Sequence, residues 1–240
     1  MSTWQPLIPG GTTATPLNVS YRVGRIKPYL SGRWLDYGCA DGGYAEALLG
    51  HGVSEVVGVD VHESRIKEAA SRGLPNASFH VYDGSYLDFP GDSFDGAFVN
   101  EVLEHVADEQ VSLREILRVL RPGGHLILIS PNRWFPFEGH GATIGGRDLE
   151  FPAPLVPWLP ERMTRSWLRA RNYWPQQLVG QARKAGFSIQ EVGFIWPVFS
   201  QYRWMPERAI ALYQRYIDGL DGIPGIRRFG VSTMVIGTKA

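Results

Sequence analysis

Short apolar runs alternate with amphipathic stretches along most of this 240-residue chain. Runs at about 33–37, 55–60, 78–82, 94–99 and 125–130 have the length and the β-branched or aromatic content of buried strands. Between them, 43–51, Glu63–Arg72 and the stretch carrying Val111, Leu113, Ile116, Leu117 and Leu120 repeat their apolar positions at helical spacing. The last of these helices is expected to stop at Arg121-Pro122-Gly123-Gly124, a strong terminator that returns the chain to a fully buried strand. Strands alternating with helices predict an α/β fold with a doubly wound, parallel sheet.

The order changes after residue 130. Residues 131–177 are rich in proline and aromatics, among them Trp134, Phe135, Phe137, Trp158, Trp167, Tyr173 and Trp174, with no clean period. Periodicity resumes with a helix at Leu178–Ala185, ended by Gly186, and strands at Phe187–Val192 and Val231–Thr238 with a helix at about 207–219 between them. The chain therefore divides into an N-terminal arm and lid helix (1–30), a core (31–132), an aromatic and proline-rich insert (133–177) and a C-terminal part of the core with a second helical insert (178–240). In the arm, Val19–Leu30 is expected to form a helix whose Tyr21, Arg22 and Arg25 lean over the site.

With 44% hydrophobic residues the chain can bury one substantial core. Lys plus Arg and Asp plus Glu are both 24, so there is no global basic field to hold nucleic acid. The single cysteine, Cys39, forbids an internal disulfide. No apolar stretch reaches about 18 residues and Met1–Asn18 lacks the apolar region of a signal peptide, so a cytoplasmic protein without a membrane span is expected.

Three acids close successive apolar runs: Asp36 in Leu35-Asp36-Tyr37-Gly38-Cys39-Ala40-Asp41-Gly42-Gly43, Asp60 after Val57-Gly58-Val59, and Asp83 in Val81-Tyr82-Asp83-Gly84-Ser85. Open parallel sheets present ligand groups at these carboxyl ends. The glycines permit a sharp strand-to-helix turn, and a helix starting near Gly43 aims free N–H groups at the loop, suiting a carboxylate. The spacing is not Gly-x-Gly-x-x-Gly, which disfavours a dinucleotide. The first loop resembles motif I of the class I S-adenosylmethionine (SAM) dependent methyltransferases. The resemblance implies a Rossmann-like sheet of seven mostly parallel strands, the last antiparallel. Asp36, Gly38, Cys39 and Gly42 would flank the cofactor's methionine half, Asp60 would take the ribose hydroxyls, and Asp83 the adenine amino group. Val61, Gly84, Ser85 and Asn100 complete the expected cofactor site.

A second cluster follows the fourth strand: Asn100-Glu101-Val102-Leu103-Glu104-His105-Val106. On a helical turn Glu101, Glu104 and His105 share one face, where two carboxylates and an imidazole can serve a divalent cation. The motif is similar to the magnesium site of the ubiquinone-pathway O-methyltransferases. With a later histidine, His140, it also resembles the small-RNA 3′-terminal 2′-O-methyltransferases. Glu101, Glu104, His105 and His140 are thus the metal candidates, for Mg²⁺ before Mn²⁺ or Zn²⁺, and His140 or His105 the candidate general base. The same turn is common in metal-free members, where the acid favours a helix start and the histidine faces the acceptor. A metal would lower the pKa of an aliphatic hydroxyl. The reading is therefore O-methylation of a saccharide or other vicinal diol, with Arg133, Arg147 and Asp148 on its hydroxyls. The alternatives are a phenolic or quinone-like small molecule, RNA 2′-O-methylation through patches such as Arg162–Arg171 and Arg227-Arg228, and a non-catalytic SAM-binding module. The aromatics of the insert would equally serve a homodimer interface.

Overall fold

The computed structural model describes residues 16–138, 141–145, 147–149, 153–164, 166–197 and 207–240. Seven strands form one sheet: β1 (Gly32–Tyr37), β2 (Val53–Asp60), β3 (Ala77–Val81), β4 (Phe94–Asn100), β5 (Leu120–Pro131), β6 (Phe187–Ile195) and β7 (Ser232–Lys239). Their spatial order is β3-β2-β1-β4-β5-β7-β6. All pairs are parallel except those of β7, which is antiparallel to both β5 and β6. The chain first builds outward from β1 through β2 to β3, then returns to add β4 on the other side. The carboxyl ends of β1 and β4 consequently flank the switch point, where a crevice opens in sheets of this kind.

Alternation along the strands sends side chains to two cores. Leu35, Tyr37, Val57 and Val99 face Leu113 and Ile116 of α4 (Glu109–Val119) and Leu178 and Ala182 of α5 (Pro175–Ala185). Trp34, Val56, Phe98 and Ile127 face Val23 and Ile26 of α1 (Pro16–Ile26) and Leu48 of α2 (Gly43–Gly50). Helix α3 (Glu63–Ser71) packs against β2 and β3, and α6 (Glu207–Asp221) precedes β7. No described helix is long and apolar enough to cross a membrane.

Two departures from the sequence pattern have clear causes. Helix α4 ends at Val119, and Leu120, expected as its last apolar position, already pairs with Phe94 as strand. The Arg121-Pro122-Gly123-Gly124 segment is absorbed as an irregularity in β5, between the Phe94–Leu120 and Gly96–His125 pairs, with Arg121 bonded to Asp95 at 2.7 Å. Val111, expected on the apolar stripe, is instead exposed, while Asp108 caps the helix by accepting from the backbone N–H groups of Gln110 and Val111. Within 131–177, two small antiparallel ribbons pair 137–138 with 153–154 and 142–144 with 147–149, outside the main sheet.

Candidate functional site

The loop after β1 is pinned from several sides. The backbone N–H groups of Gly38 and Cys39 both donate to the Val59 carbonyl, and Gly42 donates to Cys39. Gly38 has φ +79°, and a Cβ there would meet Cγ2 of Val102 at 2.4 Å, so the position excludes side chains for the sake of the protein's own turn after β4. Arg72, at the end of α3, donates to the backbone and side chain of Asp41 and to Glu46, the side-chain contacts both at 2.9 Å. The sequence offered no signal for this clamp. Cys39 is buried, and burial pushes its thiol well up, so it acts as a small packing residue.

Asp60 closes β2 almost fully buried. Its two oxygens accept from the backbone N–H groups of Ala40 (3.1 Å) and His62 (2.9 Å), and Arg65 stands 3.9 Å away. Each oxygen keeps a lone pair, so the carboxylate both organises the loop and can still accept from a diol. Asp60→Ala is expected to weaken SAM and S-adenosylhomocysteine binding at least about tenfold, the scale of one charge-assisted hydrogen bond. Calorimetry that finds unchanged affinity in the folded variant removes Asp60 from the site. Asp83 is exposed, and three bonds to its Oδ1, from Ser85 N–H, Ser85 O–H and Tyr86 N–H, hold its carboxyl below the usual range. Beside it, a Cβ on Gly84 would lie 3.6 Å from exposed Val61, so the two form one bare, partly apolar step at the ends of β2 and β3.

Asp36 is 3% exposed, and its Oδ2 has no hydrogen-bond partner. Burial, then the neighbouring Asp60 and Asp41, push its carboxyl up to about 7. Such an orphaned oxygen fits a cationic ligand, which would hold it ionised. With its pKa raised above the ordinary 3.8, Asp36 favours folding most in acid and loses that advantage as pH rises through about 7. For a cationic ligand the sign reverses. SAM affinity should fall as pH drops from 7.5 to 5.5, by up to about tenfold per unit below 7, with protons released on binding. Asp36→Asn should flatten that profile in calorimetry, and a wild-type profile that is already flat refutes the assignment.

At the other side of the crevice, Arg22 of α1 is 4% exposed and donates to Asn100 and, at 2.9 Å, to Glu101, which also accepts from Ser232 at the start of β7. Glu101 has φ +56°, an unfavourable left-handed backbone for a non-glycine residue. It therefore does not begin a helical turn with Glu104 and His105 as the sequence suggested; 101–107 is a turn closed by His105 N–H to the Val102 carbonyl. Glu104 is fully buried and accepts from Ser130 at 3.1 Å. Burial first, then the adjacent Glu101, raises its carboxyl well above the usual range. His105, one-fifth exposed, places Nε2 3.9 Å from Glu104. Among the described residues no group of three or more His, Cys, Asp or Glu is disposed to hold a metal ion. Glu101 pairs with Arg22 at 2.9 Å. Glu101, Glu104 and His105 are the described members of the anticipated metal set, and His140 lies outside the described residues.

The insert supports this turn. Arg171 donates to the Val106 carbonyl at 2.7 Å and pairs with Glu109 at 3.3 Å, while Tyr173 O–H bonds the Leu103 carbonyl and Glu109, both at 3.2 Å. Nothing in the sequence pattern singled out either for this role. Arg133, anticipated on acceptor hydroxyls, is buried and donates instead to the carbonyls of Pro157 and Leu159 while stacking 5.3 Å over Trp174. The side chains of Arg147 and Asp148 lie outside the described residues. Trp134 packs edge-on against Trp174 and Phe229, at 5.1 and 6.0 Å between centroids.

The sheet order, the antiparallel β7 and the acid-lined switch point define the Rossmann-like class I methyltransferase fold. The chain belongs to that methyltransferase family. A methyltransferase-domain family matches residues 35–128. The chain is 31% identical over 194 residues to a ubiquinone biosynthesis O-methyltransferase of Ruegeria pomeroyi, covering 76% of this chain and 69% of that one. A protein of the same name from Parvibaculum lavamentivorans is 32% identical over 146 residues, 59% of this chain; the match spans 54%, about half, of that relative's length. In fold, it is similar to a SAM-dependent methyltransferase of Mesorhizobium loti, with a TM-score of 0.64, 20% identity, and 92% of this chain and 98% of the other covered.

Proposed function

We propose that this protein is a SAM-dependent O-methyltransferase acting on the hydroxyl of a phenolic, quinol-like small molecule. The observation that carries the reading is the turn after β4, where a partly exposed His105 stands beside a fully buried Glu104 at the switch-point crevice. The names of the relatives, ubiquinone biosynthesis O-methyltransferases, support the acceptor class. Asp36, Gly38, Asp41, Gly42 and Asp60 would hold the cofactor's methionine and ribose parts, and Val61, Asp83, Gly84 and Ser85 its adenine. When bound, SAM supplies an electrophilic methyl group already activated by its sulfonium. What remains for the chain is to position the acceptor, take its proton and exclude water. A phenol, with a pKa near 10, needs only a positioned base, and His105 would accept the proton through its imidazole. The ring is set by the turn, which Arg171 and Tyr173 brace from the insert. An aliphatic diol is the more demanding nucleophile. A saccharide acceptor finds support in the half-exposed rings of Trp134, Trp174 and Phe229, which suit the apolar face of a sugar.

Methyl transfer from labelled SAM to a panel of catechols and quinols, mono- and oligosaccharides and short RNAs tests the proposal. Phenols are expected to accept label, with turnover retained in EDTA. Transfer confined to saccharides or RNA overturns the acceptor class, and SAM binding without any transfer assigns a non-catalytic module.

A further inference from the structure

We propose that the outer edge of the sheet carries a second binding site, for a phosphate monoester with an apolar substituent. A cavity of about 370 Å³ opens between α5, the end of β6 and the helical turn Ile226–Phe229. Arg183 enters it from the last turn of α5, and Arg227 and Arg228 enter from the turn. Among the described residues none of these guanidiniums has a hydrogen-bond or ion-pair partner, and no acidic side chain lines the cavity. That separates them from Arg22, Arg72, Arg118, Arg121 and Arg171, each of which faces a carboxylate. The chain as a whole is neutral, so this is a local concentration of charge and not a sample of overall basicity.

Arg183 taken alone is an ordinary cation in the last turn of a helix. The presence of Arg227 and Arg228 on the same cavity changes its meaning, because three cations lining one cavity favour an anion there. Guanidinium forks match the oxygens of carboxylates and phosphates. A carboxylate has two oxygens and one charge; a phosphate monoester offers three terminal oxygens and nearly two charges, the better complement to three arginines. Val179, Val192, Phe194 and Pro224 supply the rest of the wall, so the ligand should carry an apolar group beside the phosphate. Strand β6 lies three positions from β4, about 14 Å at ~4.8 Å per strand, which sets this cavity apart from the switch-point crevice.

Calorimetry on the full chain with benzyl phosphate, inorganic phosphate and benzyl alcohol tests the site. Benzyl phosphate should bind saturably, at least tenfold more tightly than inorganic phosphate, and benzyl alcohol should give no saturable signal. Arg227→Ala/Arg228→Ala should weaken benzyl phosphate at least tenfold and leave SAM affinity within twofold. Arg183→Gln, on an exposed helix surface, provides the same comparison should the double variant fail to fold. Absence of saturable benzyl phosphate binding, or affinity unchanged by these substitutions, overturns the proposal. So does arginine-dependent binding of phosphatidic acid vesicles or short RNA without binding of benzyl phosphate, which would assign the patch to a macromolecular surface.

Discussion

Arg22→Ala should destabilise the protein by about 3–5 kcal/mol at neutral pH, the range for removing one partner of a buried ion pair. The guanidinium joins α1 to the ends of β4 and β7 through Asn100, Glu101 and Ser232, and the Arg22 and Glu101 side chains are only 5% and 8% exposed. Without it, Glu101 and Glu104 lose the cation of α1 that faces them. Proton binding by the pair offsets that loss, so the deficit should be largest at pH 8 and shrink toward pH 5.5 in urea unfolding. Adding Glu101→Gln to Arg22→Ala should recover part of the loss, since it deletes the stranded charge. If Arg22→Ala costs less than about 1 kcal/mol at pH 8, the network is not what holds α1 over the site.

The strand-end half of the candidate site was legible in the sequence because its signals are local. An apolar run ended by an acid and followed by glycines reads as strand, ligand group and turn, and Asp36, Gly38, Asp60 and Asp83 fall at strand ends or in the loops that follow them. The acceptor half was not legible, because its geometry is set by tertiary contacts. A glutamate at φ +56° leaves no trace in residue type, unlike a glycine, so Glu101 read as the first residue of a helical turn. Its bond to Ser232 spans 131 residues and joins strands that are not sequential. Arg22 was expected over the site from its helix, but its burial depends on Asn100 and Glu101 arriving from β4. Arg133 looked like a free cation among aromatics, yet two backbone carbonyls of the insert claim it. Where a motif's meaning depends on which charges neighbour it, spacing alone showed neither the pairing of Glu101 with Arg22 nor the full burial of Glu104.

His105→Ala should lower turnover by about 10²–10⁴-fold, the contribution expected of a positioned general base, and leave SAM affinity within about twofold. The two readouts separate because the loops after β1 and β2 are pinned by their own bonds, in which His105 takes no part. Glu104 distinguishes the base from a metal ligand. Buried beside the ring, 3.9 Å from Nε2, it should act by seating the imidazole and not through its charge, so the isosteric, permanently neutral Glu104→Gln should keep turnover within about threefold. A carboxylate that ligates a cation, or one that must be charged to orient the imidazole, would instead lose activity as severely as His105→Ala. Full activity in His105→Ala would remove the histidine from proton transfer and leave His140, beyond the described residues, as the next candidate for the base.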